Sequence, residues 1–278
     1  MQIAKVKKYI PNFITVLNLV CGVFAILLFF EFIFLNEKYN LVEEIHESNK
    51  SVYLGGYEAH FFNLKDVFLN WGVILILIAT ILDFLDGFLA RILNVRSEIG
   101  AQLDSLADMV TFGVAPGFLF YALASIYFPN DEWLKYLFVL IPSFSAIRLA
   151  KFNVDEEQTT YFKGLATPSN AVFWCGVAFL MINYKSEMDN FIFLKYILAF
   201  LVISMSLLMT SNMRMFSLKL KNFKLEGDNI YRFLLVGGSI VLTIIAGLFT
   251  TIFVAIPFII LLYIFLSIGY HISTKKRA

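Results

Sequence analysis

Four aspartates, Asp83, Asp86, Asp104 and Asp108, fall within DFLDGFLARILNVRSEIGAQLDSLAD (83–108), at the junction of two long apolar runs. One charged side chain at a bilayer centre costs about 2.5–3.5 kcal/mol on the lenient insertion scale. Four neighbouring carboxylates also repel one another, so something must neutralise them, and divalent metal is the simplest candidate. Carboxylate oxygens are hard donors suited to Mg²⁺, Mn²⁺ or Ca²⁺. Two such ions side by side stabilise both the attacking and the leaving oxygen of a phosphoryl transfer. Arg91 adds a planar guanidinium able to grip a phosphate bidentately. The competing reading makes the aspartates structural ion pairs with Arg91, Arg96 and Arg148, but three arginines fall short of four carboxylates plus Glu98.

Helical spacing positions these groups. Asp83, Asp86, Gly87, Ala90 and Arg91 recur at helical intervals, as do Gly100, Asp104 and Asp108, so each set shares one helix face. The short connection through Asn94–Glu98 lets the two faces meet. Gly87, Ala90, Gly100 and Ala107 are small enough to admit a close helix or a ligand.

The whole chain explains why those helices lie in lipid. Of its 278 residues, 59% are hydrophobic and 15% charged, against about 45–50% and 25% in a soluble domain. Apolar runs of membrane-crossing length predict spans near 14–35, 68–93, 102–127, 134–150, 169–184, 191–211, 232–249 and 251–270. The expected fold is all-α, a polytopic membrane helix bundle of about eight transmembrane helices. It forms a single integral membrane domain over 1–278, with a catalytic core at about 10–211, an external loop at 36–66 and two extra C-terminal helices at 232–270. With the N-terminus in the cytoplasm, sixteen of the 22 Lys and Arg fall on the cytoplasmic side, as the positive-inside rule requires. Both termini and the aspartate hairpin are then cytoplasmic. The run after Lys5, Lys7 and Lys8 is too long for a signal peptide and lacks a cleavage site, so it reads as a retained first helix. Cys21 and Cys175 imply no disulfide, and the scattered histidines His46, His60 and His271 imply no zinc site. Lys219, Lys221 and Lys224 read as a loop facing anionic lipid. No nucleic-acid partner is expected.

The pattern Asp83-x-x-Asp86-Gly87-x-x-Ala90-Arg91, an eight-residue gap, then Gly100-x-x-x-Asp104-x-x-x-Asp108 resembles the motif of the CDP-alcohol phosphatidyltransferases. Further segments are similar to the bacterial phosphatidylserine-forming branch of that family. These are IPNFITVLNLVCG (10–22), LDSLADMVTFGVAPG (103–117), RLAKFN (148–153) and GLATPSNA (164–171). Thr111 departs from the usual Ser, and Ala166 from the usual Pro.

The resemblance implies transfer of a phosphatidyl group from CDP-diacylglycerol to L-serine with release of CMP, on two Mg²⁺ or Mn²⁺ ions per site. It implies Asp83, Asp86 and Asp104 as metal ligands, and Asp108 as the general base that also touches metal. It implies Asp83, Gly87, Arg91, Ser97, Gly100, Asn12 and Thr15 as contacts for CDP-diacylglycerol, and Ser105, Arg148 and Lys151 as acceptor contacts. A homodimer in the bacterial inner membrane is implied as well. Asn12 and Thr15 are equally ordinary helix-capping residues, and Arg148 and Lys151 equally membrane-surface anchors. Another acceptor, glycerol 3-phosphate or an inositol phosphate, stays open within the family. It would need extra cations near the hairpin, and Ser105 and Met109 supply none. A cation transporter stays open outside the family. It needs polar residues through the whole bilayer depth, whereas these carboxylates cluster at one end.

Overall fold

The computed structural model describes residues 2–48, 57–95, 97–154, 162–184, 193–217 and 227–275, with the side chains of 2–8, 39–48, 57–66, 162 and 275 excepted. Arg96, Lys219, Lys221 and Lys224 lie outside the described residues. The helices are α1 (Gln2–Ser48), α2 (Tyr57–Ile92), α3 (Glu98–Asp108), α4 (Ala115–Tyr127), α5 (Glu132–Tyr136), α6 (Leu140–Val154), α7 (Thr167–Asn183), α8 (Leu194–Thr210), α9 (Asn229–Phe249) and α10 (Ala255–Lys275). Among the described residues, six helical segments are long and apolar enough to cross a membrane: Tyr9–Lys38, Val67–Ile92, Glu98–Tyr127, Glu132–Val154, Asn229–Phe249 and Ile252–Thr274. The two remaining expected spans are α7 and α8, each of 17 residues. Polytopic helical architecture follows from lipid, where backbone groups must be satisfied within the segment.

The polar stretch 36–66, which connects the first two candidate spans, is helical over its described residues 36–48 and 57–66. Glu, Lys and Leu in this stretch are good helix formers, so the helices run on past the apolar spans.

The chain divides into two compact units, Met1–Val139 and Leu140–Ala278. In the first, α1 buries Pro11, Thr15, Asn18, Gly22, Ala25, Phe29 and Phe32. Spacings of four and three alternate along this seam, the repeat of a helix packed lengthwise on a neighbour. Phe13, Val20, Phe24, Leu27 and Phe30 on the other faces stay exposed, as lipid-facing side chains do. Between helices in lipid, close packing replaces the hydrophobic effect as the attraction. The fit is tight where α1 meets α2: a Cβ on Gly72 would overlap the Phe29 ring.

Between α3 and α4 the helix widens into a π turn, Met109–Val114, in which Ala115 N–H reaches the carbonyl of Val110. Pro116 has no N–H to give the carbonyl of Phe112, which favours this altered register. The turn is anchored on α1. Thr111 Oγ1 donates to the carbonyl of Asn18 at 3.2 Å, and Gly22 is the residue that leaves room for Thr111.

In the second unit α7 is buried on most sides, which matches its uniformly apolar sequence. A two-residue strand pair, β1 (Phe162–Lys163) with β2 (Arg214–Met215), runs antiparallel. It leads into Gly164, whose φ of +72° places it against the carbonyls of Leu208 and Met209, a conformation and an approach that a side chain would prevent.

Candidate active site

Two local signals turn the chain between the helices that carry the aspartates. Helix α2 ends on Asn94, with φ +50°. Asn94 N–H donates to the Arg91 carbonyl at 3.2 Å and Val95 N–H to that of Ala90 at 3.1 Å, the paired bonds of a Schellman stop with Asn in the left-handed position. Three residues later Ser97 caps α3, its Oγ accepting from Gly100 N–H at 2.9 Å. The stop and start lie close enough in sequence to fold α3 back beside the end of α2.

The turn brings together carboxylates that are distant in sequence. One oxygen each of Asp83, Asp104 and Asp108 lies within 4.8 Å of the others, and all three residues are half-buried. Asp86 is set apart from this trio. Its side chain is 5% exposed, and its Oδ2 accepts a hydrogen bond from Thr15 Oγ1 at 2.6 Å. Asp86 is near enough to Asp104 for the two carboxylates to interact through charge.

The surroundings differ from residue to residue. Gly100 packs on α1, since a Cβ there would lie 2.8 Å from both Asn12 Oδ1 and Ser97 Oγ. Gly87 faces open space, with nothing among the described residues within 4 Å of where its Cβ would be. Arg91 is exposed, and its Nε donates to the Gly87 carbonyl one turn back at 2.9 Å. Ser105 sits half-buried beside Asp104 on α3. Ser97, expected as a phosphate or nucleotide contact, uses its oxygen as the helix cap. Arg148 and Lys151 belong to the second unit. Arg148 is 9% exposed, its Nη1 donates to Thr167 Oγ1 at 3.2 Å, and its guanidinium lies over the Phe152 ring. Lys151 Nζ donates to the carbonyl of Thr210 at 3.2 Å.

The donor set fits a divalent ion. Three carboxylates converge with oxygen donors only, as hard cations require. Oδ1 of Asp104 is buried with no hydrogen-bond partner among the described residues, and a buried acceptor seldom stays unsatisfied. A cation held by Asp83, Asp104 and Asp108 would satisfy it.

The sequence reading missed the π turn directly after Asp108 and the Asn18–Thr111 contact that holds it. Its one local signal is Gly113-x-x-Pro116, a proline just inside a helical run. π turns recur at functional sites, and this one directly follows the last aspartate.

The sequence model of the CDP-alcohol phosphatidyltransferase family matches residues 8–220. The chain belongs to that family. That family uses divalent metal, and the Asp83, Asp104 and Asp108 carboxylates of this chain could hold one. Among curated proteins it is similar to "CDP-diacylglycerol–serine O-phosphatidyltransferase" of Bacillus subtilis, 30% identical over 192 residues, which are 63% of this chain and 87% of that protein. Proteins of the same name resemble it in Helicobacter pylori, 34% identical over 163 residues (58% of this chain, 65% of that one), and in Mycobacterium leprae, 40% identical over 119 residues (40% and 39%). The family match takes in α1 through α8 and ends before α9, so the last two helices of this phosphatidyltransferase lie beyond it.

Proposed function

We propose that the protein is a phosphatidylserine synthase, moving the phosphatidyl group of CDP-diacylglycerol onto the hydroxyl of L-serine and releasing CMP. The observation that carries the reading is the convergence of Asp83, Asp104 and Asp108 at one end of membrane-length helices. That arrangement suits phosphoryl transfer at a lipid diphosphate better than ion conduction. Serine as acceptor is supported by the names of the matched relatives and by Ser105 and Met109, which give a phosphorylated acceptor no cation.

In this reading Asp83, Asp86, Asp104 and Asp108 would hold two Mg²⁺ or Mn²⁺ ions, which would supply charge stabilisation for the diphosphate and the departing CMP. Asp108 accepts the proton of the serine hydroxyl as its oxygen bonds to the phosphatidyl phosphorus and the bond from that phosphorus to CMP breaks. The open face at Gly87 and the exposed Arg91 receive the nucleotide diphosphate, with Asn12, Thr15, Ser97 and Gly100 lining the same end. Ser105, beside Asp104 on α3, contacts the acceptor. The apolar faces of the helices leave the diacyl tails in lipid. The whole chain works as one integral membrane domain, a homodimer in a bacterial inner membrane, with both termini and the site facing the cytoplasm. The basic-residue asymmetry supports this orientation.

The test supplies purified protein with CDP-diacylglycerol and, separately, L-serine, glycerol 3-phosphate and inositol 1-phosphate. CMP release with serine alone is expected. Release with a phosphorylated acceptor instead would replace the assignment.

A further inference from the structure

The geometry points to Thr15 as a positioning residue that fixes the carboxylate plane of Asp86. The two side chains come from helices α1 and α2 and are 3% and 5% exposed. The Thr15 hydroxyl has one proton and two acceptors in reach, the Pro11 carbonyl at 3.1 Å and Asp86 Oδ2 at 2.6 Å. The second distance is that of a charge-assisted O–H···O⁻ bond, so the proton belongs to Asp86.

Asp86 needs such a partner. The terminal torsion of an aspartate is broad and roughly two-fold, so packing alone leaves the plane of the carboxylate loosely defined. Thr15, in contrast, is branched at Cβ and stiff about χ1. It sits on the buried seam of α1, between Pro11 and Asn18. Asp86 also stands outside the trio whose oxygens already converge. Its use toward a cation therefore depends on orientation more than theirs does. With its proton committed to Oδ2, Thr15 acts on the site through Asp86. This rests on the metal-dependent transfer proposed above.

The experiment measures Mn²⁺ binding to the full chain purified in detergent, read from the loss of the free-ion electron paramagnetic resonance signal. Binding alone needs no acceptor. Thr15→Val keeps the shape and removes the hydroxyl, and should weaken Mn²⁺ binding by roughly 10–100-fold, the range for lost outer partners of metal ligands. Thr15→Ser restores the hydroxyl and should recover most of that affinity. In turnover, Thr15→Val should lower kcat more than it raises KM for CDP-diacylglycerol. If Thr15→Val does not fold, Thr15→Ala makes the same comparison with Thr15→Ser. Wild-type affinity in a folded variant lacking the hydroxyl overturns the proposal. So does a Thr15→Ser variant as weak as Thr15→Val, because packing would then be the cause. Wild-type protein that binds no Mn²⁺ overturns it too. A protein that shows the expected binding pattern yet transfers nothing to serine refutes the acceptor assignment and leaves the role of Thr15 standing.

Discussion

Replacing Gly100 by alanine should damage the reaction without damaging the fold. The new Cβ would lie 2.8 Å from Asn12 Oδ1 and 2.8 Å from Ser97 Oγ, about 0.6 Å inside the 3.4 Å of ordinary contact. Ser97 retreats only by giving up its cap, since its oxygen accepts from the N–H of residue 100 at 2.9 Å. Losing that cap costs about 1 kcal/mol, while alanine in place of glycine in a helix returns up to about 1 kcal/mol. The two terms offset, and the net change in stability is near zero. The Asn12 contact, the one made by α1, is relieved by moving α3 off α1 by several tenths of an ångström. Asp104 is one turn along α3, so it moves with the helix. Misplacement by about 1 Å costs roughly 10²-fold in rate, and half of that displacement predicts roughly a tenfold fall in kcat. CMP-release rates in mixed micelles and thermal unfolding of the same preparation check both halves. Wild-type kcat with an unchanged unfolding temperature would refute the geometric reasoning. So would a fall of more than about 5 °C, because about 1 kcal/mol corresponds to about 2–4 °C at this size.

Gly87→Ala should behave oppositely, since none of the described residues comes within 4 Å of its Cβ: stability and Mn²⁺ binding hold, while KM for CDP-diacylglycerol rises. An unchanged KM would remove Gly87 from the substrate surface. Exhaustive chelation with EDTA should abolish CMP release and added Mg²⁺ or Mn²⁺ should restore it; activity that survives chelation contradicts a metal role for the trio. Asp108→Asn should lower turnover by roughly 10²–10⁴-fold, the scale of a lost general base, while metal titration shows weaker but measurable binding through Asp83 and Asp104. Sidedness is best probed at Glu98, exposed on the first turn of α3, because Asn94 is committed to a left-handed conformation that cysteine resists. Glu98→Cys, with Cys21 and Cys175 replaced, should react with an impermeant thiol reagent only from the cytoplasmic side, and labelling of intact cells would reverse the topology.

The hairpin was legible in the sequence because its determinants are local. Helical period fixes which residues share a face, and a short connection with an asparagine stop and a serine cap allows one way back. Asp83, Asp104 and Asp108 therefore meet as their spacing implies. The motif gave no means of separating Asp86 from them, although the reason is simple. At about 100° per residue, a step of three residues leaves Asp86 about 60° round the helix from Asp83. Whether that offset matters depends on what lies alongside, and that is α1, seventy-one residues back along the chain. The polar seam of α1 could be read as helix capping until its neighbours were known. The same dependence on distant neighbours hid the π turn, whose register follows from Pro116 and from the anchoring of Thr111 on Asn18. Arg148 and Lys151 stand at the far limit of such reasoning. Their partners, Thr167 and the Thr210 carbonyl, come from other helices of their own unit, and no local pattern encodes those pairings. The four aspartates are thus unlike one another for a reason the bilayer imposes. A carboxylate in lipid must be satisfied: three of them converge where a cation would fit, and the fourth accepts a hydrogen bond from a hydroxyl on a neighbouring helix.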